Sequence, residues 1–326
     1  MRRRDFISLV GGAAAAWPLA ARAQQPAMPV VGFVSGASRE MAGERPAMFR
    51  KGLGESGFVE GQNVTVEYHW LDGRYDQLPA LMADLARRVD VIAAVGNAQA
   101  ALAAKAATAT IPIVFSVPED SAKLGLVASL ARPGGNATGS NYFSQEVNTK
   151  RLAILHELVP KAVRIAVLIN PGSAVSAEST MREATEAART LGLQTEVFKA
   201  RTGAEIEAAF PLMRARADAL FVAADAFFNT RRVQFATLIA RNAIPTIQTS
   251  REEIEAGGLI GYGADVVDSY RQVGEYVGRI LKGAKPADLP VVQATKFELF
   301  INLQTARALG IEVPPTLLAI ADEVIE

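Results

Sequence analysis

Short apolar runs alternate with helical stretches along almost the whole chain, and this alternation limits the possible folds more than any other feature. Val30–Ser35, Val91–Val95 and Ile111–Val117 are apolar enough to be strands buried on both faces, and segments of helical periodicity separate them. Strands that alternate with helices in this way form parallel sheets covered by helices on both sides. The sequence therefore predicts an α/β fold.

The pattern restarts in the second half of the chain. Val89–Ala100 and Ala217–Phe228 each lead from an aspartate through a strand to a short polar side chain, and each is followed by a helix and an Ile-Pro strand. A chain of 326 residues, half of them hydrophobic, can fill two cores. We expect two lobes joined by three crossings. Residues 28–142 and 264–286 form the predicted first lobe, residues 143–263 and 287–326 the second, and the crossings lie near Asn141–Ser144, Ser250–Gly263 and Pro286–Gln293.

Two local expectations concern helices. Leu124–Ala131 is predicted to be a brief apolar helix that precedes the Pro-Gly-Gly-Asn turn at Pro133–Asn136. Thr230 is predicted to be the N-cap of a helix that runs to Ala240, because its hydroxyl can accept a hydrogen bond from the first helical turn.

The N-terminus has the layout of an export signal. Arg3 and Arg4 precede Phe6, an apolar run follows from Ile7 to Ala20, and Ala21-Arg22-Ala23 fits a cleavage site. The arginine pair resembles a twin-arginine signal, and the run is short for a membrane span. We therefore expect residues 1–23 to be a signal peptide, cleaved near Ala23/Gln24, and the mature protein to be periplasmic. The chain has no cysteine, so neither disulfides nor a lipid-modified cysteine are expected, and we expect a soluble monomer.

Composition argues against nucleic-acid binding and against enzymatic catalysis. Without the first 23 residues the formal charge is about −3, and no basic stripe remains to follow phosphates. His69 and His156 are the only histidines, and they are far apart in the sequence. No zinc-ligand pattern, nucleophile elbow, phosphate-binding loop or dinucleotide fingerprint is present. We expect no catalytic residues, no metal and no cofactor.

Short polar and aromatic side chains follow the predicted strands in both halves. In open α/β sheets, ligands bind beyond the carboxyl ends of the strands, so a cleft between two lobes would be lined by these side chains. Taken singly, such residues are often caps and turn residues instead. The candidate ligand-binding residues are Ser35, Asn97, Ser116, Val117, Pro118, Glu119, Asp120 and Tyr142 in the first half, and Asn170, Ser173, Asp225, Phe227, Gln248 and Tyr262 in the second.

The candidates suggest an amino acid or a related small carboxylate as the ligand. Ser35, Asn97 and Ser116, with helix N-termini nearby, could hold a carboxylate. Asp225 is the expected partner for an ammonium group, and the aromatic side chains could stack on an apolar part of the ligand.

Several longer motifs resemble a known family. They are the PGGNATG turn at Pro133–Gly139, the GGLIGYG segment at Gly257–Gly263, the stretch Arg279–Ile311 and the VPPTLLAIADEVIE tail. Together they resemble ABC-transporter substrate-binding proteins of the type I periplasmic fold, in particular the subgroup related to tryptophan- and other amino-acid-binding proteins.

The resemblance covers essentially the whole mature chain and implies two Rossmann-like lobes that close on a small solute. It also implies delivery of the solute to an ABC permease in the inner membrane. Two alternatives stay open from the sequence. One is an exported sensing module that presents its ligand to a receptor, and the other is an α/β hydrolase that uses Asp225 and Glu119.

Overall fold

The structure is a computed structural model that describes residues 28–40, 42–142, 146–294 and 296–326. The predicted signal peptide, residues 1–23, lies outside the described residues. The α/β prediction is confirmed: the chain forms two mostly parallel sheets, each the centre of one lobe.

The first lobe contains a six-stranded parallel sheet with the strand order β11-β5-β4-β3-β1-β2. Its elements are β1 (Val30–Ser35), α1 (Arg45–Glu55), β2 (Thr65–Trp70), α2 (Leu78–Leu85), β3 (Val91–Val95), α3 (Ala98–Ala107), β4 (Ile113–Val117), β5 (Ala137–Asn141), and, from later in the chain, α10 (Val266–Leu281) and β11 (Val292–Gln293).

The second lobe contains a seven-stranded sheet with the order β13-β12-β10-β9-β8-β6-β7, parallel except for the β10–β12 pair. Its elements are α4 (Glu146–Leu158), β6 (Arg164–Ile169), α5 (Ala174–Thr190), β7 (Gln194–Lys199), α6 (Gly203–Arg216), β8 (Ala219–Val222), α7 (Ala226–Thr230), α8 (Arg232–Asn242), β9 (Thr246–Gln248), α9 (Arg251–Glu255), β10 (Ile260–Ala264), β12 (Phe297–Asn302), α11 (Leu303–Ala308), α12 (Pro315–Ile320) and β13 (Glu323–Ile325).

The central strands are buried on both faces, which explains why their sequences are continuous apolar runs. In β3, Val91, Ala93 and Val95 join the apolar cluster beneath α1 and α10, whereas Ile92 and Ala94 join the cluster on the opposite face. Adjacent residues of a strand point to opposite faces of the sheet, so both faces need a helical cover. The second sheet has the same arrangement, with one core under α4 and α5 and another under α6 and α8.

The passages between the sheets differ in detail from the predicted crossings. The first lies between β5 and α4, and residues 143–145 of it are outside the described residues. The second lies between β10 and α10, so most of the predicted crossing at Ser250–Gly263 belongs to the second lobe. The third follows β11, because Val292 and Gln293 pair with β5 in the first sheet. The predicted start of the second lobe at residue 287 is therefore too early.

Two helix predictions were wrong. Leu124–Ala131 forms turns and not a helix, since Gly125 adopts a positive φ of 71° and interrupts helical geometry. Thr230 does not start a helix. It ends α7, and its hydroxyl donates to the carbonyl oxygen of Phe227. Asp225 caps this segment instead. In the part of the chain that the structure describes, none of the helices has both the length and the apolar character needed to cross a membrane.

Candidate ligand-binding site

A cavity lies between the two lobes, at the carboxyl ends of strands from both sheets. The volume open to the centre of a water molecule inside it is about 70 Å³, several times what a single water needs, so the space suits one small molecule. The lining residues include Arg45, Asn97, Pro118, Tyr142 and Tyr270 from the first lobe, and Arg151, Ser173, Ser176, Asp225, Asn229, Thr249, Ser250 and Tyr262 from the second.

Polar contacts join the two lobes around this cavity. Arg45 donates from Nη1 to Oδ1 of Asn229 at 3.0 Å and from Nη2 to Oε1 of Glu252 at 3.1 Å. Ser173 donates to Oε1 of Gln99 at 3.1 Å. These bonds cross the cleft, so the structure describes the lobes in a closed arrangement.

Asp225 follows β8 and presents a carboxylate to the cavity. Its Oδ1 caps α7 by accepting from the backbone N–H groups of Phe227 and Phe228, and it also accepts from Nδ2 of Asn170 at 3.1 Å. Its Oδ2 is buried and has no hydrogen-bond partner among the described residues. The hydroxyl of Tyr75 lies nearby without completing a hydrogen bond. Burial raises the pKa of Asp225, whereas the hydrogen bonds from Asn170 and from the N–H groups of Phe227 and Phe228 act to lower it.

Arg151 places a fully buried guanidinium at the cavity, since the residue is only 1% exposed. The group packs over the ring of Phe221, 4.2 Å from the ring centre. It donates to Asn148 at 3.2 Å and to the carbonyl oxygen of Val222 at 2.6 Å. Burial lowers the pKa of Arg151 to about 9. Its Nε has no partner, and no carboxylate forms an ion pair with it, among the residues that the structure describes.

The carboxyl group of Glu119 is buried directly behind the residues that line the cavity. The residue is 2% exposed, and its Oε1 accepts from the hydroxyl of Ser176, which lines the cavity from the opposite lobe. Its Oε2 has no hydrogen-bond partner within the described segments. Burial raises the pKa of Glu119 to about 7, and the neighbouring carboxylates of Glu183 and Asp225 add to the rise.

Three tyrosines supply the aromatic part of the wall. Tyr142 donates to the carbonyl oxygen of Gly96 at 3.3 Å, and Tyr262 stacks on Phe297 with 6.3 Å between ring centres. Burial raises the pKa of Tyr142 and Tyr270, and the charge of Arg45 acts against this rise in both. Rings of this kind give an apolar solute a surface to stack on.

Of the sequence-predicted site residues, the structure brings one group together and places the others elsewhere. Asn97, Pro118, Tyr142, Ser173, Asp225 and Tyr262 line the cavity. Asn170 and Glu119 lie directly behind it, where they bond to Asp225 and Ser176.

The remaining candidates have other partners. Ser116 bonds to Ser269 at 2.8 Å, and Ser35 accepts from the N–H of Ala37. Asp120 accepts from two N–H groups of the following turn. The other three are buried away from the cavity, namely Val117 and Phe227 in apolar cores and Gln248 beside Glu253.

Sequence reasoning missed both arginines of the cavity. Arg151 carried a signal, because it lies on the helical stripe of Val147, Leu155 and Leu158, where an apolar residue is expected. Arg45 carried no such signal, since nothing in the sequence distinguishes it from the arginines of the surface. In the described segments, no group of three or more His, Asp or Glu side chains is placed to hold a metal ion.

Comparison with known proteins gives a consistent result. The family model described as ABC transporter substrate binding protein matches residues 28–325. A protein of Clostridioides difficile named tyrosine-binding protein is 27% identical over 269 residues, which are 81% of this chain and 76% of that protein.

Solved structures share the fold. A conserved domain protein of Vibrio cholerae has a TM-score of 0.82, and a Streptococcus pneumonia ABC domain in complex with L-Trp has a TM-score of 0.80. Both are 24% identical to this chain, and both alignments cover 91% of this chain and 99% of the solved chain.

Proposed function

The chain belongs to the ABC transporter substrate-binding proteins, and on that premise we propose that it binds an α-amino acid between its lobes and releases it unchanged. One observation carries the proposal. The cavity is lined by a buried guanidinium without a carboxylate partner and by a buried carboxylate oxygen without a donor, among the described residues. A zwitterion supplies both missing partners.

The two charges have defined roles in this proposal. The α-carboxylate of the ligand pairs with Arg151, which has hydrogen bonds only to neutral groups and feels the carboxylate of Glu253 without forming an ion pair with it. The α-ammonium group pairs with Oδ2 of Asp225, while Oδ1 stays occupied as a helix cap. Charge-assisted hydrogen bonds of this kind are stronger than neutral ones. This assignment moves the carboxylate away from Ser35 and Ser116, neither of which is among the residues that line the cavity.

Binding is coupled to closure. The ligand enters an open cleft and contacts one lobe first, and the second lobe then adds its own contacts. The ligand shifts the equilibrium toward the closed arrangement by the free energy of the contacts that it makes only in that arrangement. The bonds from Arg45 to the second lobe contribute to this state.

The wider setting follows from the family and the N-terminal sequence. We expect a monomer, exported to the periplasm by the twin-arginine signal, that delivers its ligand to an ABC permease in the inner membrane. The tyrosine in the name of the C. difficile relative and the L-Trp in the S. pneumonia structure support an amino acid as the ligand.

A thermal-shift screen of the mature protein against the twenty amino acids and small carboxylates tests the proposal. A ligand at a hundred times its Kd adds about 2.7 kcal/mol to the free energy of unfolding. Asp225→Asn keeps the helix cap but removes the charge, and it should weaken binding at least about 30-fold, since a buried charge then lacks its partner.

Asp120→Asn is the matched control, because Asp120 accepts from two backbone N–H groups in the same way but lies outside the cavity. It should leave affinity unchanged. If Asp225→Asn binds as tightly as the wild type, the assignment of the ammonium partner is wrong. If a ligand is consumed during incubation, the protein is an enzyme and the binding role fails.

A further inference from the structure

In the described part of the chain, Nε of Arg45 is a hydrogen-bond donor without a partner, on a residue that lines the cavity. Arg45 starts α1, is 8% exposed and lines the cavity. Its two terminal nitrogens are bonded to Asn229 and Glu252, whereas Nε is buried and has no hydrogen-bond partner in the described part of the chain. A buried donor without a partner is unfavourable, so a ligand that reaches Nε gains from pairing with it.

A simple zwitterion does not use this donor. Its two charged groups pair with Arg151 and Asp225, which both come from the second lobe. The wall formed by the first lobe then still contains Nε of Arg45 and Nδ2 of Asn97, and Nδ2 is likewise buried without a partner among the described residues. Both are donors, so a hydrogen-bond acceptor on the ligand could pair with them.

The surroundings of Arg45 show what kind of group can approach. The charge of Arg45 influences the hydroxyls of Tyr142 and Tyr270, so the guanidinium lies beside the aromatic wall. A side chain that packs along these rings from the second lobe would carry its far end toward Arg45.

We propose that Arg45 determines specificity, and that its Nε selects amino acids whose side chain bears a hydrogen-bond acceptor, such as a phenol, hydroxyl or amide oxygen, over hydrocarbon side chains of similar shape. This inference rests on the proposed function. A site that is built to hydrogen-bond a side-chain group rejects the analogue that lacks it, because the protein donor then remains unpaired. For one buried donor, the expected preference is at least about tenfold.

Isothermal titration of the mature protein with matched pairs tests the proposal. The pairs are L-tyrosine with L-phenylalanine and L-asparagine with L-leucine, so that aromatic and aliphatic shapes are both covered. The quantity of interest is the ratio of the two affinities within a pair. For each pair that binds, the wild type should prefer the acceptor-bearing member at least about tenfold, and Arg45→Met should reduce that ratio to near one.

Glu252→Gln provides the matched control. It weakens the contact between the lobes at Nη2 of Arg45 but leaves Nε in place. It should lower the affinity for both members of a pair by the same factor, which keeps the ratio. A general effect of weaker closure is thereby separated from selection by Nε.

The outcomes distinguish the two proposals. If phenylalanine or leucine binds the wild type as tightly as its partner, or if the ratio persists in Arg45→Met, the role of Arg45 is refuted while amino-acid binding stands. If none of the twenty amino acids binds, the proposed function itself fails, and the specificity proposal fails with it.

Discussion

Glu119 should make ligand binding depend on pH, because its carboxyl group is buried against Ser176 of the opposite lobe and should become exposed when the lobes separate. The carboxyl accepts from Ser176 across the cleft. When the lobes separate, this contact is lost and water reaches the group, so its pKa returns toward the ordinary value of 4.5. In the closed arrangement burial raises the pKa of Glu119 to about 7.

The direction of the effect follows from this difference. A carboxyl whose pKa is higher in the closed form favours closure when it is protonated, so its contribution is complete below pH 4.5. The contribution declines as the pH rises and is lost once the pH passes about 7. A rise in pKa from 4.5 to about 7 corresponds to roughly 3 kcal/mol. The affinity attributable to this group should therefore fall by up to a factor of a few hundred between pH 4.5 and 8.

Titration calorimetry across pH 5 to 8.5, with the wild type and Glu119→Gln, measures this effect. Glutamine resembles the protonated acid and cannot ionise, so the variant should bind much more tightly than the wild type at pH 8 and only about fourfold more tightly at pH 5. The ratio of the two affinities is the useful quantity, because pH effects on groups that do not interact with Glu119 are the same in both proteins and cancel. Near pH 6 the wild type should also take up almost one proton on binding, so that the observed enthalpy varies with the buffer.

Asp120→Asn, a change at the neighbouring and more exposed carboxylate, is the control and should follow the wild type at every pH. An affinity ratio between wild type and Glu119→Gln that stays constant from pH 5 to 8.5 would refute the reasoning. It would mean that Glu119 keeps the same environment in the open and closed forms.

Two further predictions concern binding and stability. Arg151→Met should abolish measurable binding of amino acids. The melting temperature of the ligand-free protein should change little, because a buried charge without a carboxylate partner is removed while the hydrogen bonds to Asn148 and to the carbonyl oxygen of Val222 are lost. Arg241→Met, at an exposed ion pair, is the control, and retained binding in Arg151→Met would contradict the carboxylate assignment. Gly274→Ala should lower the free energy of unfolding by roughly 1–3 kcal/mol in denaturant titrations, because its new methyl group would lie 2.1 Å from the carbonyl oxygen of Phe49 where α10 packs on α1. Gly54→Ala, at an open position of α1, should be neutral or stabilise by up to about 1 kcal/mol; equal effects of the two substitutions would show that the helices do not pack closely at Gly274.

Much of the fold could be predicted because its determinants are local. The buried strands β1 and β3 have the predicted bounds, and β4 begins at Ile113, two residues after the predicted start at Ile111. Burial on both faces leaves a continuous apolar run in a strand, and a buried stripe leaves helical periodicity in a helix. The failures were local as well: Gly125 ended a predicted helix, and Asp225 took the capping role expected of Thr230.

The site was less predictable, because its residues meet only across the cleft. Asn97 and Asp225 could be identified as polar residues at strand ends, and both line the cavity. Arg45 and Arg151 lie within helices, and only the packing of the lobes brings them to the same cavity.

The amino-acid sequence by itself determined the alternation of strands and helices, the doubling of that pattern and the polar character of the strand ends, since each depends on the order of residues within one element or its neighbour. The tertiary structure alone decided which polar groups have partners. Whether a donor or a carboxylate is satisfied depends on atoms that are distant in the chain, and it is these unsatisfied atoms, on Arg45, Arg151 and Asp225, that define the chemistry of the cavity.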